Sequence, residues 1–378
     1  MSSLRANLFL VALGLSLLGL VMVYSAVGRD SLLERIAHMV LGVAVFFVVS
    51  RVRYTVWRKY ALPLYLIVLA GLVLVLIPGV GSQINGARRW LDLGPMTVQP
   101  AELAKLAAVL VLSCAVARLP SGSGLPFKPL VMVGALFALV LIEPDFGTSV
   151  IVLAGVAGVL WASEIKTRDL LLSGLVGLVA VAGMMMLEPY RRERFLTFLN
   201  PWAATDGSGY QVVQSMVAIK AGGFFGSGAG SGGQGPYVPE IGTDMIFALI
   251  GEELGLIGMV AVIAAFGFIA FAGLRIALGA PSVMARCVAA GLTTMLIVQA
   301  IFNIGAVMVV LPLAGMTLPF VSYGGTSLLV CFAAVGILYR ISEDSERARE
   351  IKPRAKEKSP DSRRRDGGTR YPRAVRGG

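Results

Sequence analysis

Ionisable residues that interrupt apolar stretches are where a charge-poor chain is built to do chemistry, and here they fall into four groups. Residues 79–100, GVGSQINGARRWLDLGPMTVQP, carry Arg88 and Arg89 beside Trp90 and Asp92. Guanidinium forks match phosphate oxygens bidentately, so the paired arginines suit a phosphate; a Trp-bearing loop equally suits lipid headgroup depth. AELAKLA follows at once, with Glu102 and Lys105 three positions apart on one helical face, either bracing each other or lining a polar cavity. EPDFGTS, residues 143–149, sets Glu143 and Asp145 around a proline; Pro144 and Gly147 fit a tight turn, and Asp145 can cap the next helix or meet a ligand. The fourth group is the stretch from about 189 to 243. It opens on YRRERFLTFLNPW, with Arg191, Arg192 and Arg194 in one turn, and closes on PYVPEIGTDMIFALIGEELG, with Glu240 and Asp244 where an apolar block begins.

The elements that must hold these groups are membrane helices. Of the 378 residues 56% are hydrophobic and only 15% charged, against about 25% charged in soluble domains. A bilayer-crossing helix needs roughly 20 mostly apolar residues. Residues 6–28, 60–87, 146–163, 170–187 and 254–274 carry no Asp, Glu, Lys or Arg, and 287–339 is one charge-free run holding two spans around a Pro/Gly-rich turn. Shorter apolar stretches at 36–50, 101–117 and 129–142 bring the expected total to ten, in an all-α integral membrane protein. With the N-terminus inside, twenty-four Lys/Arg lie on the cytoplasmic side and eight outside, Arg35 among the latter in the loop after the first span, so the positive-inside rule predicts both termini cytoplasmic. The large 189–243 loop then joins spans seven and eight on the outer face.

Two further segments have compositional readings. The middle of the large loop is glycine-rich and reads as a flexible linker, with a short amphipathic helix predicted over Gln211–Lys220, lying on or dipping into the membrane. The membrane domain ends near residue 340; 341–378, with twelve Lys/Arg against seven Asp/Glu, reads as a disordered basic cytoplasmic tail near anionic lipid. Its basic residues lack interleaved aromatics apart from Tyr371, which argues against nucleic-acid binding.

Several chemistries are excluded. Cys114, Cys287 and Cys331 sit in apolar blocks without C-x-x-C spacing, offering neither disulfides nor zinc. His38 is the single histidine, so a histidine relay is impossible. There is no G-x-x-x-x-G-K-[ST] loop for ATP and no D-x-D pair for a nucleotide-sugar with its metal, which turns attention to a lipid-borne donor such as a polyprenyl diphosphate.

In this order, GARRWLDLGPMTVQPAELAKLA, EPDFGTS, PYRRERFLTFLNPWAATDGSGYQVVQS, GGFFGSGAG, PEIGTDMIFALIGEELG and NIGAVMVVLPLAGMTLPFVSYGGTS resemble the SEDS proteins of bacteria, the shape, elongation, division and sporulation family. The resemblance runs from about Leu8 to Arg340. It implies a peptidoglycan glycosyltransferase that polymerises lipid II, the undecaprenyl-diphosphate-linked disaccharide peptide, on the outer face of the bacterial cytoplasmic membrane. It also implies a class B penicillin-binding protein transpeptidase as partner, alongside other division or elongation complex proteins. Asp244 falls at the family's essential acid, and Glu102 and Lys105 at its P-x-E-x-x-K pattern within a central polar cavity. The PW after Asn200 and the GMTLPFVSYGG stretch, whose Ser322 joins the substrate-binding set, look more like the division (FtsW) branch than the elongation (RodA) branch. Two positions depart from the family: Gly242 stands where a His usually precedes the acid by two, and Lys220–Ala221 where Gly-Ser is common.

With that resemblance the groups acquire roles. Asp244 is the candidate general base for the acceptor hydroxyl. Arg88, Arg89, Arg191, Arg192 and Arg194 are candidates to offset charge on the leaving diphosphate, and Glu102, Lys105, Asp145 and Glu240 complete the substrate-binding set. A divalent cation, Mg or Mn, could accompany the diphosphate, although no protein ligand set for one is visible. The rival readings are a flippase or transporter for the same lipid, which the Pro/Gly-broken stretch 312–326 would fit, and a noncatalytic divisome scaffold.

Overall fold

The computed structural model describes residues 2–357 except 29, 85, 86, 95, 121, 188 and 204–207. In lipid every backbone N–H and C=O must be paired within the chain, so the apolar blocks become helices. These are α1 (Ser2–Val27), α2 (Asp30–Arg51), α3 (Trp57–Leu76), α4 (Pro100–Val116), α5 (Phe127–Ile142), α6 (Phe146–Ala162) and α7 (Thr167–Leu187). After the loop helices α8 (Pro189–Leu199) and α9 (Ser208–Gly222) come α10 (Ile246–Leu278), α11 (Val283–Val307) and α12 (Gly325–Glu357). By length and composition seven of these can cross a membrane: α1, α2, α3, α7, α10, α11 and α12. The others expected to cross, α4, α5 and α6, are 17, 16 and 17 residues long, short of the roughly 20 a crossing needs. The expected ten therefore resolve into seven clear candidates and three shorter apolar helices packed among them.

The centre of the bundle is α4, nearly every residue of which is buried, packed by α3, α6, α11 and α12. Its start is fixed by Pro100 in the first turn, where a missing N–H costs nothing. Gly155 and Gly158 of α6 and Gly291 of α11 let these helices approach closely: a Cβ at Gly291 would lie 2.6 Å from Val159. At the periphery α7 presents Leu171, Leu175, Val176, Leu178 and Val179 outward, as a lipid-facing helix does.

Three regions depart from the expectations. Residues 81–98 form a three-stranded antiparallel sheet, β1 (Gly81–Ile84), β2 (Ala87–Asp92) and β3 (Thr97–Val98), in an otherwise helical fold. The chain is still helical beyond 340, where a disordered tail was expected, because α12 continues to Glu357. Ion pairs one turn apart, Arg340 with Glu343 (3.2 Å) and Asp344 (3.0 Å) and Arg347 with Glu343 (2.6 Å), support it, and Glu346 reaches Arg5 of α1 at 2.7 Å. Residues 358–378 lie outside the described set.

The third departure concerns the glycine-rich stretch, which is docked rather than free. Gly226, at φ +81°, sits so close to α10 that a Cβ there would lie 2.1 Å from the Glu253 carbonyl. The buried Glu252 and Glu253 carboxylates accept the N–H groups of Gln234 (2.7 Å) and Gly230 (3.0 Å), clamping the loop. Within α10 itself Gly255 (φ 65°, ψ −164°) breaks the helix, separating a buried segment at 246–254 from a longer one whose Leu256, Ile257 and Val260 face outward. The predicted amphipathic helix at 211–220 is α9, packed on α10.

Candidate active site

A cavity of about 1180 Å³ opens between the sheet, the turn joining α5 to α6, the segment before α10 and the 312–327 stretch. Its polar lining includes Arg89, Gln99, Glu102, Lys105, Asp145, Arg194, Glu240, Asp244 and Gln299. Seven of the eleven residues singled out by sequence thus line one cavity.

The sheet delivers Arg89 by a bulge. Ser82 pairs with Trp90 and Gln83 with Arg88, so Arg89 is the extra residue of β2, and both Arg89 and Trp90 line the cavity. The Arg89 guanidinium is docked on the 143–145 turn: Nε donates to the Glu143 carbonyl (3.0 Å) and Nη2 to that of Pro144 (2.8 Å). Arg88 does not line the cavity.

Asp145 is the N-cap of α6. Its Oδ1 accepts from the Thr148 N–H (3.0 Å), and its Oδ2 from the Thr148 hydroxyl (2.9 Å) and Gln99 Nε2 (3.0 Å). Both oxygens are engaged, so its carboxylate shapes the wall. Glu143 next to it is 1% exposed with neither carboxylate oxygen partnered. Burial first, then the Asp145 charge, pushes its carboxyl up to about 8 against the pull of Arg89, so it is mostly neutral at pH 7.

At the floor, Lys105 Nζ lies 2.7 Å from Glu102 Oε2 and donates to Gln299 Oε1 at 2.8 Å, with side chains only 2% and 6% exposed. Gln299 Nε2 in turn donates to the Thr317 carbonyl (2.9 Å). The brace and the cavity wall, alternatives on sequence, are here the same pair.

Asp244 precedes α10 in a turn where the Glu240 carbonyl accepts from Thr243 and Met245 N–H groups and the Thr243 hydroxyl donates to Glu240 Oε2 (2.9 Å). Burial, then Glu240, raise its carboxyl to about 6, with Arg194 opposing, Asp145 adding and Arg89 opposing. Gly315, at φ +66°, passes both groups: a Cβ there would lie 3.5 Å from Asp244 Oδ2 and 3.8 Å from Arg194 Nη1. At Gly242 a Cβ would lie 2.8 Å from Val27 Cγ2, so any larger residue there requires the half-exposed Val27 side chain to shift.

Of the remaining candidates, Arg192 is exposed on α8 away from the cavity, and the side chain of Arg191 lies outside the described set. Ser322 is buried behind the site, its Oγ donating to the Thr243 carbonyl (2.6 Å) and accepting the Leu318 N–H (2.7 Å). Sequence reasoning missed Gln99, Gln299 and Asn303, neutral amides that a search for charges passes over. It also placed Arg35 in a loop. Arg35 is buried in α2, donating to the Phe320 (2.6 Å) and Val321 (3.1 Å) carbonyls.

The model of the FtsW/RodA/SpoVE cell cycle protein family matches residues 5–347. The chain belongs to that family. It is 36% identical over 353 residues to stage V sporulation protein E of Bacillus subtilis, covering 89% of this chain and 96% of the relative. It is 39% identical over 358 residues to a probable peptidoglycan glycosyltransferase FtsW of Allochromatium vinosum, covering 88% of each. Among solved structures it is similar to a chain of a peptidoglycan synthase complex coordinating polymerization and crosslinking (TM-score 0.77, 31% identity, 90% of this chain and 97% of that one). The rod shape determining protein RodA of Thermus thermophilus follows (TM-score 0.68, 29% identity, 89% and 96%). Both solved structures match the fold of this chain over about nine-tenths of its length.

Proposed function

We propose that this family member is a peptidoglycan glycosyltransferase that polymerises lipid II, with Asp244 as general base. The observation that carries the reading is a recessed carboxylate, raised to about 6, in a polar cavity it shares with Arg89 and Arg194. Chain growth requires the acceptor sugar's 4-hydroxyl to attack the donor's anomeric carbon as the diphosphate leaves. A carboxylate that is ionised at pH 7 yet not far below it in pKa can take the hydroxyl proton as the bond forms. Arg89 and Arg194 line the same cavity and are placed to offset charge on the departing diphosphate, as fixed donors near where that charge develops. Among the described residues no group of three or more His, Cys, Asp or Glu is set to hold a metal. In this reading a divalent cation, Mg or Mn, accompanies the diphosphate.

The cavity faces the outer side of the cytoplasmic membrane in this reading, with both termini inside, as the distribution of Lys and Arg favours. Division is the favoured role, because of the FtsW-like stretches and the FtsW relatives. The chain carries no Ser-x-x-Lys acyl-transfer motif in an exterior domain, so crosslinking falls to a transpeptidase partner. Its docking face is the outer surface of α10, where Leu256, Ile257 and Val260 are exposed and nothing lies within 4 Å of a Cβ at Gly267. Gly267→Leu should reduce co-purification with the cognate transpeptidase; undiminished recovery moves the interface elsewhere.

Purified protein incubated with labelled lipid II in detergent tests the activity. Glycan polymer without a bilayer supports the enzyme. Absence of polymer, with lipid II moving across vesicles, favours the transporter, and neither activity favours the scaffold.

A further inference from the structure

Resting on the glycosyltransferase reading, we propose that Asn303 is a positioning residue for Asp244, fixing the proposed base to the rigid wall of α11. Three successive carbonyls lead up to and include that residue, and each is held by a different donor. The Tyr323 N–H donates to Gly242 O (2.9 Å), Ser322 Oγ to Thr243 O (2.6 Å), and Asn303 Nδ2 to Asp244 O (2.8 Å). The first two donors belong to the non-helical 308–324 segment. Only the third belongs to a membrane helix, and it is the one at Asp244 itself.

The same amide nitrogen also donates to the Met316 carbonyl at 2.6 Å. Two carbonyls can only accept, so they decide which end of the amide faces them. Asn303 is 2% exposed, and its Oδ1 has no partner. An amide kept buried with an unsatisfied acceptor is held for its donors. Its bond to Met316 fixes the backbone next to Gly315, the glycine that passes Asp244 Oδ2 and Arg194 Nη1. One turn earlier on α11, Gln299 grips the next carbonyl, Thr317, and links it to Lys105. Asn303 therefore sets both the backbone of Asp244 and the opposite wall against which its carboxylate lies.

Asp244 is faced by Glu240 from its own turn, Arg194 from α8, Asp145 from the cap of α6 and Arg89 from β2. Loosening its backbone lets water reach the carboxylate and weakens the burial that raises it. The test is the pH profile of lipid II polymerisation by the full-length protein in detergent. Asn303→Ala should lower kcat by about 10²-fold through misplacement of the base, with KM within about twofold of wild type. The acid limb of kcat should move below that of wild type. Asn303→Leu fills a similar volume and removes both donors without adding charge; it should give the same split and the same shift of the limb, and it serves where the alanine variant fails to fold. Wild-type kcat and acid limb in a folded variant would overturn the inference. So would parallel losses in kcat and thermal stability with an unmoved limb. A wild-type protein that makes no polymer overturns the glycosyltransferase reading, and this inference with it.

Discussion

The floor and the rim of the cavity hold charges in opposite ways. At the floor, Glu102 and Lys105 neutralise each other within one helix, and Gln299 accepts a second hydrogen bond from the lysine. At the rim, Arg89, Arg194, Glu240 and Asp244 come from a strand bulge, a loop helix and a turn, and Asp244 is raised to about 6 among them. The central membrane helix thus carries charge that is settled before any ligand arrives, whereas the loop elements at the rim carry the charge that a substrate can rearrange. The comparison teaches that intramembrane charge alone does not mark the reacting group. The group to look for is the one whose protonation is poised.

Substitutions at the two places should therefore fail differently. The largest effect on turnover is expected at the rim, where Asp244→Asn removes the proton acceptor and should lower polymerisation by roughly 10²- to 10⁴-fold. Its melting temperature in detergent should stay near wild type. At the floor, Lys105→Ala leaves Glu102 buried and unpaired, a change that costs about 3–5 kcal/mol. The Glu102→Ala/Lys105→Ala double variant should lose less stability than the sum of the singles; strict additivity in a thermal double-mutant cycle would refute the direct pair.

Arg89→Lys sharpens the comparison from the rim side. It keeps the charge and loses the fork docked on the Glu143 and Pro144 carbonyls, so activity should fall by about tenfold. Equal activity of the lysine variant would mean that charge suffices there. The smallest effect is expected at Glu143, raised to about 8 from an ordinary value of 4.5. The folded state holds its proton more tightly than the unfolded state does, so stability is fully present below about pH 4.5 and declines as pH rises through 8. Glu143→Gln should flatten that part of the melting-temperature profile. An unchanged slope would show that Glu143 ionises freely.

Much of this architecture was legible because lipid enforces simple rules. Charge-free blocks had to be helices, and Glu102 with Lys105 had to meet because their spacing puts them on one face. The sheet at 81–98 was hidden because ARRWLD mixes charge and apolar residues without clean alternation, and its bulge displaces Arg89 from the register. A basic-residue count put Arg35 in a loop because its acceptors, the carbonyls of Phe320 and Val321, lie nearly three hundred residues away. The start of the tail read as disorder because charge density was counted without its i,i+4 pairing, and α12 is held by that pairing. Gln299 and Asn303 were invisible to a search for charge, inside the longest charge-free run of the chain.

The central claim is that Asp244 must be ionised for glycan to form. Initial rates of polymerisation of labelled lipid II by the purified protein in detergent, measured across pH 4.5 to 8, test it directly beside Asp244→Asn. The account predicts polymer from the wild type with a rate that rises through an apparent pKa near 6, and no such limb in the residual activity of the variant. A wild-type rate that is flat across that range, or an Asn variant that polymerises with the same limb, would contradict it.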